Sequence, residues 1–175
     1  MAAISSLRSQ RLSELRTDIG QQYLAFRLRL GWFILPIKSI YRVIPLEKHI
    51  PNLTFSGQKV PIADLGKILF GETKGQSNKI PQLFVNGAIV VSKPSLIVIR
   101  NQTEDLVGIL SNSQPALQKV SPDQLGPLPV TYSQRWKVDF IKSMTLPSQD
   151  RPSLFAIDSD RLVANLINSK QTEKP

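Results

Sequence analysis

Tyr23-Leu24-Ala25-Phe26-Arg27-Leu28-Arg29-Leu30 is the stretch that decides the fold class. After an apolar start it alternates, with Arg27 and Arg29 on one face and Phe26, Leu28 and Leu30 on the other, the two-residue period of a half-buried strand. Gly31 reads as the turn and Trp32 to Ile37 as the returning strand. Downstream the texture repeats. Ile40 to Ile44 is a short strand ended by Pro45, and Val60 to Leu65 another after a Ser56-Gly57-Gln58 turn. Leu83 to Val91 folds about Asn86-Gly87, a dipeptide suited to the left-handed positions of a hairpin turn. Leu96 to Ile99 and Leu106 to Leu110 flank Asn101 to Asp105 as a second hairpin, and Val138 to Leu146 and Leu154 to Ile157 complete the strands.

Helical signals are few. Gly66 to Phe70 reads as one turn closed by Gly71. Ser159 reads as the cap of a final helix, Asp160 to Ile167, with Leu162, Val163, Leu166 and Ile167 on one side. Upstream, Ile4, Leu7, Leu12, Leu15 and Ile19 lie among arginines, a pattern for a basic amphipathic extension over residues 1–20. Residues 71–81 form a polar loop, prolines 115, 122, 127 and 129 punctuate the third quarter, and 169–175 is a polar tail. Many short strands and 13 prolines predict an all-β chain of barrels or a sandwich, not a βαβ sheet. The expected core is Phe26, Leu35, Ile62, Leu65, Ile97, Val107 and Ile109.

Composition excludes several chemistries. With 175 residues the chain is about one domain, long enough to bury a core without a metal or disulfide staple. It has no cysteine and one histidine, which excludes thiolate zinc sites, cysteine nucleophiles and multi-histidine metal centres. His49 sits in a loop between Lys48 and Ile50; a catalytic role would need an orienting carboxylate and a nucleophile in reach, and the sequence supplies Glu47 as a neighbour and nothing more. Gly71 to Gly75 lacks the spacing of a phosphate-binding loop, and no Gly-x-Ser-x-Gly elbow occurs. Asp158 and Asp160, at a strand-to-helix junction, are accounted for by helix-end electrostatics. No catalytic residue, metal or cofactor is therefore expected. No apolar run reaches the ~18 residues of a membrane span, and no targeting segment is read, so the expected location is cytoplasmic.

The net charge is +9, and it is front-loaded: residues 1–60 hold nine basic residues against Glu14, Asp18 and Glu47. Such a balance favours acidic partners, whether nucleic acid, an anionic surface or an acidic protein. Nucleic-acid sites also offer stacking aromatics, and the aromatics here are 7% and mostly inside apolar strands. A basic nucleic-acid-binding protein built on small barrels is the competing reading.

From about Gln22 to Ile167 the sequence resembles the CheW-type coupling domain of bacterial chemotaxis. The pieces are Tyr23 to Leu28 with Phe33-Ile34-Leu35-Pro36-Ile37, then Gly57-Gln58-Lys59-Val60-Pro61-Ile62-Ala63-Asp64-Leu65. Ile97 to Ile99 through Leu106 to Leu110 follow, then Val120 to Pro129, and finally Leu154-Phe155-Ala156-Ile157-Asp158. The resemblance implies two small SH3-like five-stranded β-barrels packed together, with a short C-terminal helix and an N-terminal helical extension, the domain covering residues 21–168. It implies a non-enzymatic adaptor recruited to receptor arrays. Its partners would be the regulatory domain of a CheA-type histidine kinase and the cytoplasmic tip of a methyl-accepting chemoreceptor, with other CheW-like domains, itself included, as a further option, and with no membrane insertion. It implies a partner contact around Ile40, Arg42, Val43, Ser56 and Gly57. Arg42 stands where the family usually has a glutamate, and Ser56 where it has an arginine, so the family's ion pair cannot form. Pro45 to Ser56 is short and Leu83 to Val91 resembles an insertion. Counting alternate residues, Arg42 shares a face with Ile40, and Val43 points the other way or lies at the strand's end.

Overall fold

The structure, a computed structural model, describes residues 20–46, 53–55, 57–71, 82–85, 88–91, 93–147 and 151–171, with the backbone alone for 82–85, 88–91 and 170–171. The expected extension before Gly20 and the Asn86-Gly87 turn lie outside the described residues. The strands are β1 (Gln21–Leu28), β2 (Gly31–Pro36), β3 (Ile40–Pro45), β4 (Thr54–Phe55), β5 (Gln58–Lys59), β6 (Ile62–Ala63), β7 (Gln82–Val85), β8 (Ala88–Val91), β9 (Ser95–Arg100), β10 (Leu106–Ser111), β11 (Ala116–Val120), β12 (Leu125–Pro127), β13 (Ile141–Thr145) and β14 (Leu154–Ile157). The helices are α1 (Leu65–Phe70), α2 (Val130–Trp136) and α3 (Ser159–Gln171).

The fold is mostly β, with a short C-terminal helix, as expected. One principal sheet runs β11-β1-β2-β14-β13-β12 and the other β3-β9-β10-β6. The strands thus divide six and four between the two sheets, with β4-β5 and β7-β8 as separate two-stranded ribbons. All pairings are antiparallel except β14 with β2 and β6 with β10.

The central strands of both sheets are covered on both sides, so they do not read as a simple alternation. In β1, Leu24, Phe26 and Leu28 enter a central core, and Tyr23 and Ala25 enter a second cluster with Ile34 and Val120. In β9, Ile97 and Ile99 face the central core, while Leu96 and Val98 join Val60 in a third cluster. The central core therefore lies between the two sheets and each outer cluster fills one side, a distribution that follows from the period of two. Leu162, Val163 and Leu166 of α3 and Leu65 and Leu69 of α1 complete the centre. Trp136 of α2 packs there too, its centroid 4.8 Å from that of Phe155 and 5.9 Å from that of Phe33. Among the described residues its indole N–H has no hydrogen-bond acceptor.

Five local readings are corrected. The β1–β2 turn is Arg29-Leu30, with Leu30 87% exposed, and Gly31 belongs to β2. Arg29 takes the left-handed conformation, φ 51°, and donates its N–H to Asn112 Oδ1 at 2.8 Å. Glycine is needed at 31 for close approach, since a Cβ there would lie 2.8 Å from Phe33 Cε2. Leu65 is fully buried, but as the first residue of α1, because Asp64 Oδ1 accepts from the Lys67 N–H at 3.0 Å and opens the helix. Ile62 is half-buried, on a two-residue strand at the sheet's edge, whereas the other six expected core residues are buried. The strand expected from Val138 begins at Ile141, after α2 ends on Lys137 at φ 51°. The cap of α3 is Asp158, whose Oδ1 accepts from the Arg161 N–H at 3.1 Å, and the helix runs past Ile167 to Gln171.

Candidate partner-binding surface

The expected contact residues fall on β3 and on the ribbon β4–β5. Among the described residues β3 is an edge strand, paired on one side only, with β9. Its register is Ile40 with Ile99, Arg42 with Val98, Val43 with Ile97 and Ile44 with Leu96, and it slips by one residue between Ile40 and Arg42. That slip is a β-bulge, two residues of β3 facing one of β9.

The bulge reverses the expected sidedness. Cross-strand partners share a face, so Ile40 and Val43 lie with Ile99 and Ile97 on the side of the central core. Arg42 lies with Val98, on the outer side. Ile40 is half-buried against the central core, and Val43 is 37% exposed. Ser56 lies outside the described residues. Gly57 is exposed at the turn of the ribbon with φ +79°, and no atom lies within 4 Å of where its Cβ would be. Backbone conformation, not close approach, calls for glycine there.

On the outer side the bulge assembles a cluster that strand alternation does not reveal. The Tyr41 ring meets the Phe55 ring edge to face, centroids 5.5 Å apart. The Arg42 guanidinium lies 6.0 Å from the centroid of Phe55, and that of Arg100 5.8 Å from the centroid of Tyr41. Both distances are within cation–π range. Arg100 also pairs with Glu104 at 2.9 Å, an exposed pair. Among the described residues Arg42 makes no ion pair. Tyr41, Phe55 and Arg100 were not among the expected contact residues. They are far apart in sequence and meet only because β3 pairs with β9 and the ribbon folds over the bulge.

Elsewhere, Asp158 and Asp160 have structural partners. Asp158 caps α3, and Asp160 accepts from the Gln102 N–H and from Gln102 Nε2, both at 3.0 Å, tying the β9–β10 turn to α3. No group of three or more histidines, aspartates or glutamates among the described residues could hold a metal ion. His49 lies outside the described residues. No helix among the described residues is long and apolar enough to cross a membrane.

Among solved structures, the scaffolding protein TtCheW from Thermoanaerobacter tengcongensis shares the fold. It has a TM-score of 0.53 and 15% sequence identity, over 80% of this chain and 85% of that one. Comparison with curated proteins finds no match. A family model for the CheW-like domain matches residues 22–166, from the second residue of β1 into α3, and over that span the chain belongs to the CheW-like family.

Proposed function

We propose that this protein is a non-enzymatic adaptor that couples chemoreceptor-type, methyl-accepting sensors to a CheA-type histidine kinase in chemotaxis, phototaxis or pilus-based motility signalling. The observation that carries the reading is the family match over residues 22–166, joined to a fold that a CheW scaffolding protein shares. An adaptor needs surfaces rather than a reacting centre. β3 supplies an exposed edge with apolar groups toward one side and a guanidinium toward the other. In this reading the protein acts in the cytoplasm, at receptor arrays. The partner contact lies around Ile40, Arg42, Val43, Ser56 and Gly57, with aliphatic contact giving area and charge selecting the partner.

The test is a pull-down of the full chain with the regulatory domain of the kinase and with the receptor's cytoplasmic tip. A salt titration of binding to DNA and RNA runs in parallel. The expected outcome is a saturable complex with the kinase domain or the receptor tip, and weak nucleic-acid binding. No complex with either, together with nucleic-acid affinity that falls steeply as salt rises, would replace the adaptor reading with the nucleic-acid one.

A further inference from the structure

The patch on the outer side of β3 has a chemistry of its own. Tyr41 is 45% exposed and Arg42 is exposed, and the two are held in place by Phe55, which anchors into the cluster beneath. One face of each ring is occupied by a guanidinium. Stacking on a ring takes up the flat face of an arginine and leaves its N–H edge open, and that fork fits a carboxylate in two parallel hydrogen bonds. Arg100 is already partnered by Glu104, whereas Arg42 makes no ion pair among the described residues. Among the described residues the surface thus offers one uncommitted cation beside an exposed, half-apolar ring, the pairing of residue types that dominates the energetics of protein interfaces.

We infer that the Tyr41, Arg42, Phe55 and Arg100 surface docks an acidic segment of a protein partner, one that presents a carboxylate to Arg42 beside an apolar side chain that covers Tyr41. Charge complementarity selects this occupant. Nucleic acid would call for ring faces free to stack bases, and here a guanidinium takes one face of each ring. The inference deepens the adaptor reading and rests on it, in that a protein partner is held here. The side that carries Arg42 faces away from the central core, so this surface is distinct from the Ile40 and Val43 side.

The experiment measures fluorescence anisotropy of a labelled helical peptide in which one leucine has glutamates three and four residues away, titrated with the full chain at low salt. Its glutamine counterpart, a single-stranded oligonucleotide and vesicles of anionic lipid are the comparison probes. The glutamate peptide should bind about tenfold tighter than the glutamine peptide, the size of one charge-assisted contact. Arg42→Gln should lose about that tenfold, Arg42→Lys part of it, and Tyr41→Ser several-fold, with unchanged melting temperatures. Lys142→Gln, at an exposed position on β13, should bind as the wild type does. Wild-type affinity in Arg42→Gln would overturn the inference. So would an equal loss in Lys142→Gln, which marks diffuse charge attraction. Tighter binding of the oligonucleotide or vesicles with the same dependence on Arg42 would overturn it too. The peptide reads the patch alone, whereas the pull-down reads the adaptor role, so either can fail without the other.

Discussion

Strands β3 and β9 are hydrogen-bonded neighbours in one sheet, and they obey opposite rules. β9 has a partner on each side and a core on each face: Leu96, Ile97, Val98 and Ile99 are all fully buried. β3 has one partner and is bulged, and none of its six residues is buried. Position in the sheet acts beside hydrophobicity, since Val43 is apolar yet 37% exposed while its cross-strand partner Ile97 is fully buried. A central strand is fixed residue by residue by packing. An edge strand can exchange a charge without touching the core, so the arginine at 42 costs the fold little and can change what the protein binds.

The cross-strand pair Val43 and Ile97 tests that contrast most severely, because the two residues face the same side in direct register. Ile97→Ala should destabilise by about 2–5 kcal/mol, combining lost transfer energy with a cavity that the close-packed centre cannot collapse. Val43→Ala should cost at most about 1 kcal/mol. Urea unfolding of both variants gives the comparison directly. Equal losses would mean that Val43 packs as tightly as Ile97, and the contrast would fail.

The second test moves from stability to binding. Arg42→Glu should weaken the complex with the cognate receptor or kinase by roughly 1–3 kcal/mol, as a polar contact is lost and like charges are opposed. Its stability should stay within about 0.5 kcal/mol of the wild type. Unaltered affinity at low salt, with folding verified, would move the contact elsewhere on the barrels.

Gly108, in β10, sharpens the comparison from the far side of β9. A Cβ there would lie 3.0 Å from Leu96 Cδ1 and 3.3 Å from Ile62 Cγ1, where β6 pairs alongside. Gly108→Ala should therefore cost about 1–3 kcal/mol through overpacking. A neutral result in the same unfolding assay would show that the short strand β6 shifts easily, and that the sheet's second edge is as tolerant as β3.

How much of this was legible in the sequence follows the same division. The β9–β10 hairpin could be read because two apolar runs flank a polar turn, and Phe26, Leu35, Ile97, Val107 and Ile109 are buried as expected. Leu65 was assigned to a strand because its apolar neighbours hid the cap supplied by Asp64. β11, β12 and α2 were passed over because prolines there read as breaks. In the structure Pro127 ends an edge strand and Pro129 precedes α2, positions that need no N–H donor. At the candidate surface, alternation located β3 but put its residues on the wrong faces. One inserted residue shifts every later side chain to the opposite side, and nothing in Ile40-Tyr41-Arg42 marks the bulge. Tyr41, Phe55 and Arg100 carry no joint signal in one dimension.

The smallest effect expected lies at the turn joining β9 to β10, where order comes from polar contacts instead of a core. Asn101 Oδ1 accepts from the backbone N–H groups of Thr103 and Asp105, at 3.0 and 2.8 Å. Asp105 Oδ2 accepts from Thr103 Oγ1 at 2.6 Å and from Asn101 Nδ2 at 3.1 Å. These hydrogen bonds, the one from Thr103 first, hold the Asp105 carboxyl below the usual carboxylate range. A carboxylate favoured in the folded state stabilises the fold above its unfolded-state pKa, and the contribution fades as the pH falls through the lower folded-state value. Asp105→Asn removes that contribution at every pH. The variant should therefore be slightly less stable than the wild type at neutral pH, and the gap should close on acidification through the carboxylate range. Thermal unfolding of both proteins from neutral to strongly acidic pH measures the gap. A difference that stayed constant across that range would show that the turn holds its shape through the Asn101 contacts to the backbone, without help from the charge on Asp105.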